Sequence, residues 1–269
     1  MVENRSYFKK LLGFYENELV NNILFFWDEK CIDRVNGGFF NCFDNLGENL
    51  VSHDKYTWSQ GRFVWMWSKL ASMDNGTFTH AQQAGFLEKA KLGRDFLAKN
   101  CLLGPDDWRC AFLLDEAGNK KTVEGWGDRL DLSISADIFV ALGFSRYARC
   151  VADRDSYLFA KNLYMSIRKR YMEGDFLSLP YQLPQKYRTH YMMMIHLTSE
   201  FYGAVCMFEP EIAGEVKGWL KTYLDDMLDN FVDENNVLRE IIYSADNGQL
   251  PSVLGQHINP GHNLGRCGL

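Results

Sequence analysis

The segment Lys55-Tyr56-Thr57-Trp58-Ser59-Gln60-Gly61-Arg62-Phe63-Val64-Trp65 sets an indole and a guanidinium four residues apart. On a helix Trp58 and Arg62 share a face, and Gln60 lies elsewhere. An indole covers C–H faces while a guanidinium donates several hydrogen bonds, so the pair suits a carbohydrate. An aromatic core helix with a snorkelling arginine fits the same residues. A second segment, Thr189-His190-Tyr191-Met192-Met193-Met194-Ile195-His196-Leu197-Thr198-Ser199-Glu200, puts His196 on a methionine-rich face with Glu200 one turn later. Such a histidine is either a hydrogen-bonded core residue or an imidazole tuned and oriented for proton transfer. The third runs Leu250-Pro251-Ser252-Val253-Leu254-Gly255-Gln256-His257-Ile258-Asn259-Pro260-Gly261-His262. Asn259-Pro260 reads as an N-cap followed by proline at the first helical position, which sets His262 in the first turn of a new helix. A plain helix start with an exposed histidine is the alternative.

These residues need elements to hold them. Apolar residues three and four apart predict helices over about 7–27, 56–73, 80–99, 132–152, 157–172, 188–208 and 211–229. The first has a wide apolar face made of Leu11, Leu12, Phe14, Tyr15, Leu19, Ile23, Leu24 and Trp27. Between helices, Gly37-Gly38-Phe39-Phe40 and Asp44-Asn45-Leu46-Gly47 read as a hairpin or structured loop. Residues 108–114 look strand-like before a turn at 116–119, 177–185 is a loop with Pro180 and Pro184, and 237–243 is extended. Alternating helices and structured loops fit a bundle, a solenoid or an α/α toroid. No fixed period supports a tetratricopeptide, HEAT or ankyrin array.

The chain has 269 residues, 46% of them hydrophobic and 24% charged, enough to bury a sizeable core. A net charge of −6 argues against a general nucleic-acid partner, whose phosphates call for clustered Lys and Arg. No run approaches the roughly 20 apolar residues that span a bilayer, and the start shows no signal-peptide core. The 7 cysteines form no Cys-x-x-Cys and no zinc spacing, which suits reduced, buried thiols in a cytoplasmic protein. P-loop, dinucleotide, nucleophile-elbow and His-Glu-x-x-His motifs are absent.

Taken together, Gly37-Gly38-Phe39-Phe40, Lys55-x-x-Trp58-x-Gln60-Gly61-Arg62-x-x-Trp65 and Leu254-Gly255 to Asn259-Pro260-Gly261-His262 have the order and spacing of one family. The chain resembles the N-acylglucosamine 2-epimerase family, which includes mannose isomerase and cellobiose 2-epimerase, from about residue 7 to about residue 264. The resemblance implies an all-α fold, an (α/α)6 barrel with short β-hairpin loops around a sugar pocket, as a single domain over 1–269. It implies interconversion of C2 epimers such as N-acetylglucosamine and N-acetylmannosamine. A histidine takes the C2 proton of the open-chain sugar to give an enediolate, and a proton returns to the other face, or to C1 in an isomerase. No metal or cofactor is required. By this resemblance His262 is an acid/base histidine and His196 a supporting one near the reactive end. Arg62 contacts the sugar oxygens and stabilises the enediolate, while Trp58, Glu240 and Ser135 line the pocket. The partner is a small-molecule sugar, without nucleic acid or membrane, in a chain prone to form a homodimer.

Departures from the family pattern qualify this. Family members carry Glu three residues after the Asn-Pro-Gly-His histidine, where this chain has Gly265. Loss of that orienting carboxylate is expected to weaken His262. Ser135 stands where a Tyr is common, and Met192 where several members have Asn. Only about seven of the twelve barrel helices are counted, and the second acid/base histidine of the family lies beyond them. The expectation is therefore a barrel lacking its C-terminal helices, active as an epimerase only if a second histidine is supplied. Otherwise it is a sugar-binding or interaction remnant, or an aldose–ketose isomerase. A glycoside hydrolase on the same toroid would need paired carboxylates, for which Asp137 and Glu240 are the candidates.

Overall fold

A computed structural model describes residues 2–178, 187–189 and 192–266. The chain opens with helix α1 (Val2–Asn17), a π-helical stretch (Glu18–Leu24) and α2 (Phe25–Lys30). Strands β1 (Cys42–Phe43), β2 (Leu50–Ser52) and β3 (Lys55–Tyr56) lead into α3 (Thr57–Ala71) and α4 (His80–Asn100). Four more short strands follow, β4 (Leu102–Gly104), β5 (Asp107–Cys110), β6 (Leu113–Leu114) and β7 (Lys120–Lys121). Then come α5 (Ile134–Val151), α6 (Arg154–Glu173), β8 (Tyr187–Thr189), α7 (Met192–Phe208) and α8 (Ala213–Asp226). Strand β9 (Ile241–Tyr243), α9 (Val253–Gln256) and α10 (Pro260–Arg266) complete the described chain.

Helices α3, α5 and α7 are neighbours in that order, and α4, α6 and α8 back them. The three front helices run parallel, as their cross-contacts show. Gly61 of α3 meets the backbone of Phe139 and Val140 on α5, and seven residues on, Ser68 O accepts from Cys150 Sγ at 3.2 Å. Likewise Ser135 of α5 lies against Met193 of α7, while Arg149 reaches Glu200 further along both. Parallel helices of this kind put all their N-termini at one end. That end is also where the strands and turns preceding each helix gather.

Local chemistry explains the boundaries. Thr79 and Gln82 form a capping box at the start of α4. Ser133 caps α5, Asp153 caps α6, and Gly174 closes α6 in the left-handed conformation at φ 69°. Aromatic stacking fills the interior. Trp67 lies on Phe86 with ring centroids 5.6 Å apart, and Tyr164 on Phe201 at 4.3 Å. At Gly61 a Cβ would sit 2.4 Å from the carbonyl carbon of Phe139, so only glycine permits this approach of α3 to α5. Gly143 answers it from α5, beside the Gly61 carbonyl.

Two expectations change. The helix expected from Arg188 begins at Met192, because 187–189 pairs as a strand with 241–243. The apolar face expected to be buried along the first helix is open over α1, where Tyr7, Phe8, Leu12, Phe14 and Tyr15 are each more than half exposed. The loop with Pro180 and Pro184 lies outside the described residues. No helix among the described residues is long and apolar enough to cross a membrane.

Candidate active site

The glycine-rich segment and the Gln-Gly-Arg segment meet as scaffold. Gln60 uses its whole amide on Phe39. Its Nε2 donates to Phe39 O at 2.7 Å, and its Oε1 accepts from Phe39 N at 2.8 Å. Gly38 has φ 75°, and a Cβ there would meet that same Gln60 oxygen at 2.8 Å. Lys55 is wholly buried. It donates to Asp33 Oδ2 at 2.6 Å, to Gly37 O at 2.7 Å and to Glu116 O at 2.8 Å, with its ammonium over the Phe96 ring. A buried ammonium needs such a full set of partners. The sequence reading gave neither Lys55 nor Gln60 this role.

On this scaffold α3 presents Trp58, Arg62 and Trp65, one turn apart each. The Arg62 guanidinium stacks on Phe139 of α5 at 4.3 Å and lies 5.9 Å from the Trp58 ring. Its side chain is exposed, yet surrounding protein desolvates it and lowers its pKa. Both hold for a cation on the wall of a concave opening. Trp65 and Phe139 were not among the expected site residues. The spacing 58, 62, 65 along one helix face points to Trp65, as does the step from Ser135 to Phe139 on α5.

His196, in the second turn of α7, stands edge-on to Trp65 with ring centroids 5.1 Å apart. Burial pulls its pKa below the usual imidazole value, Glu200 opposes the shift, and Lys69 and Arg62 add to it. Of the two alternatives for His196, orientation by Glu200 is not made. Its oxygens go to Trp65 Nε1 at 3.1 Å and to Arg149 at 3.0 Å, with Arg146 at 3.6 Å. Among the described residues neither nitrogen of His196 has a protein hydrogen bond. Ser135, in the first turn of α5, touches Met193 Sδ at 3.9 Å and so faces the same end of α7.

The second cluster comes from the last third of the chain. Residues 241–243 are placed by the pairing of β9 with β8, with Thr189 opposite Ile241. Arg188 of β8 anchors the ladder to α8 through Asp226 at 2.8 Å and to the following turn through Asn247. Asn259 caps α10 as expected, its Oδ1 accepting from Gly261 N at 2.9 Å and His262 N at 3.3 Å. Asn263 Oδ1 accepts from Leu238 N at 2.8 Å, which fixes α10 against the segment before β9. Glu240 then accepts from Asn259 N at 3.3 Å and from His262 Nδ1 at 2.8 Å. Despite glycine at 265, the His262 ring therefore has a carboxylate partner.

Asp137 belongs to the framework. It is buried, accepts from Cys110 N at 2.5 Å and pairs with Arg170 at 3.2 Å. Burial raises its pKa to about 6, against the pull of Arg170. No hydrogen bond or ion pair among the described residues joins it to Glu240.

No family model matches the chain. It is 26% identical to the N-acylglucosamine 2-epimerase of Rattus norvegicus over 249 residues, 91% of this chain and 55% of that protein. It is 27% identical to the protein of the same name from Homo sapiens over 252 residues, 91% of this chain and 54% of that one. The chain is a relative of the N-acylglucosamine 2-epimerases. It spans about half the length of the curated relatives it matches. Among solved structures, the cellobiose 2-epimerase of Bacillus thermoamylovorans superposes with TM-score 0.66 at 17% identity, over 87% of this chain and 60% of that one. A D-mannose isomerase gives 0.60 at 15% identity, over 86% and 55%. The fold of this epimerase relative is therefore that of the (α/α)6 barrels, with three inner helices, α3, α5 and α7, and their outer partners.

Proposed function

We propose that the chain acts at C2 of an aldose, as a sugar 2-epimerase working by histidine-mediated proton transfer through an enediolate. The observation that carries this reading is His196. Desolvation lowers its pKa, its nitrogens have no hydrogen bond from the described protein, and the Arg62 guanidinium is close enough to add to that shift. A partly buried polar ring without a protein partner is suited to a ligand. In this reading Trp58 and Trp65 supply apolar walls, and Ser135 lies at the rim. Arg62 steadies the negative oxygen of the enediolate, worth several kcal/mol where such a donor is preorganised (about 3 kcal/mol). His262 removes the C2 proton.

Inversion at C2 needs a second proton carrier on the opposite face of the planar intermediate. His262 alone returns the proton to the face it came from, which exchanges it with solvent, or to C1, which makes the ketose. The test is incubation in D2O with N-acetylmannosamine, N-acetylglucosamine, mannose and glucose, following the C2 proton by NMR. Loss of that signal, abolished by His262→Ala and slowed by Arg62→Ala and His196→Ala, is the expected result. No loss with any of the four sugars overturns the reading. Sugar binding without exchange would instead support a binding remnant. A cytoplasmic location and a homodimer go with the same proposal. The exposed apolar band on α1 supports self-association.

A further inference from the structure

We propose that Glu240 is the positioning residue of His262, holding it in the tautomer whose Nε2 is a base, and that the residue just before β9 thereby supplies the carboxylate that the helix bearing His262 lacks. An ionised carboxylate only accepts hydrogen bonds. Both Glu240 oxygens accept here, one from the Asn259 N–H at 3.3 Å and the other from His262 Nδ1 at 2.8 Å. The proton of the neutral ring therefore sits on Nδ1, and Nε2 carries the lone pair. An unconstrained imidazole has both tautomers to choose from, and the partner of one nitrogen decides the state of the other.

The arrangement is built, not incidental. Glu240 is mostly buried, with 12% of its side chain exposed, whereas the His262 side chain keeps 37% exposed. The glutamate is fixed twice over, by the ladder that sets Ile241 opposite Thr189 and by the backbone N–H of the residue that caps α10. That same cap, Asn259, also accepts from His262 N. Ring and backbone of His262 are thus positioned from one short network, whose carboxylate lies 22 residues upstream.

The catalytic meaning of this role rests on the function proposed above, but its test does not. In protein labelled with 15N-histidine, the His262 signals are assigned by their loss in His262→Ala. At a pH where the ring is neutral they are expected to report hydrogen on Nδ1. Glu240→Ala should move them to hydrogen on Nε2 or to a mixture. Glu240→Gln, whose carbonyl still accepts, should keep the Nδ1–H form, and it also serves if the alanine variant does not fold. Hydrogen on Nε2 in the parent chain, or an unchanged tautomer in a folded Glu240→Ala, overturns the proposal. If C2 exchange is observed, kcat in Glu240→Ala should fall by at least about tenfold with KM little changed. An unchanged kcat also overturns it. The predicted tautomers without any C2 exchange leave this proposal standing while the epimerase reading fails.

Discussion

His196 and His262 carry the same ring in opposite surroundings. The first is edge-on to an indole and has no hydrogen bond among the described residues, and the second is held by a carboxylate. For His196 this has a pH consequence. Its pKa is lowered from 6.5 by burial, so near pH 6 the unfolded chain holds a proton that the folded chain resists. The stability tied to the neutral ring is complete above about 6.5 and declines as pH falls toward the folded value. His196→Gln should remove that slope. Between about pH 7.5 and about pH 5.5, the parent chain should lose more melting temperature than the variant, as read by circular dichroism. Equal losses would show that burial of His196 is energetically idle. The sequence shows both histidines, but it suggests the wrong partner for one. Glu200 stands at helical spacing from His196, yet Trp65 and two arginines from other helices take its oxygens. Glu240 is expected only as a pocket neighbour, because its contact with His262 depends on α10 docking back on residues 238–240, which no short spacing encodes.

The long helices are legible because a 3.6-residue apolar repeat over 15–21 residues is a strong signal. The strands are only partly legible: residues 108–114 and 237–243 read as extended, as in β5, β6 and β9, but two to four residues hold too little alternation to fix a pairing. Residues from 188 therefore read as the start of a helix, and the pairing of β8 with the strand next to Glu240 stays hidden. Between elements the decisive contact is that of α3 with α5 at Gly61 and Gly143. A methyl group at 61 cannot be accommodated without pushing the two helices apart. Gly61→Ala should cost at least about 1–3 kcal/mol in urea unfolding, in the range of overpacked cores. On the proposed function it should also weaken sugar binding, by displacing Arg62 from Phe139. Parent-like stability would mean that α5 yields there easily. Gly61 sits inside the motif that suggests a sugar site, yet its own contribution is the fit between helices.

At the scale of the whole molecule, the chain presents three inner helices of a toroid and a first helix whose apolar band faces solvent. Tyr7, Phe8, Leu12, Phe14 and Tyr15 are 56–65% exposed, whereas the core holds Trp67 and Phe39 fully buried. Apolar surface of this kind favours association over solvation, at roughly 25 cal/mol per Å2 covered. Light scattering should therefore show concentration-dependent self-association of the parent chain, reduced in a Phe8→Glu, Leu12→Glu variant. A parent chain that remains monomeric at high concentration would remove the support α1 gives to a homodimer. The net charge of −6 predicts that moderate salt strengthens the association by screening repulsion.

The two hydrogen bonds between the Gln60 side-chain amide and the Phe39 backbone bear on time as well as place. Residues 33–40 form an irregular, glycine-containing loop, the kind of segment whose backbone usually exchanges its hydrogens within seconds. Here the Phe39 N–H is buried and claimed by a side chain of an inner helix. It should exchange as slowly as the middle of α3, because it can open only when that helix does. A deuterium-exchange map of the protein would then show a loop with the lifetime of a core, joined kinetically to the helix that carries Arg62.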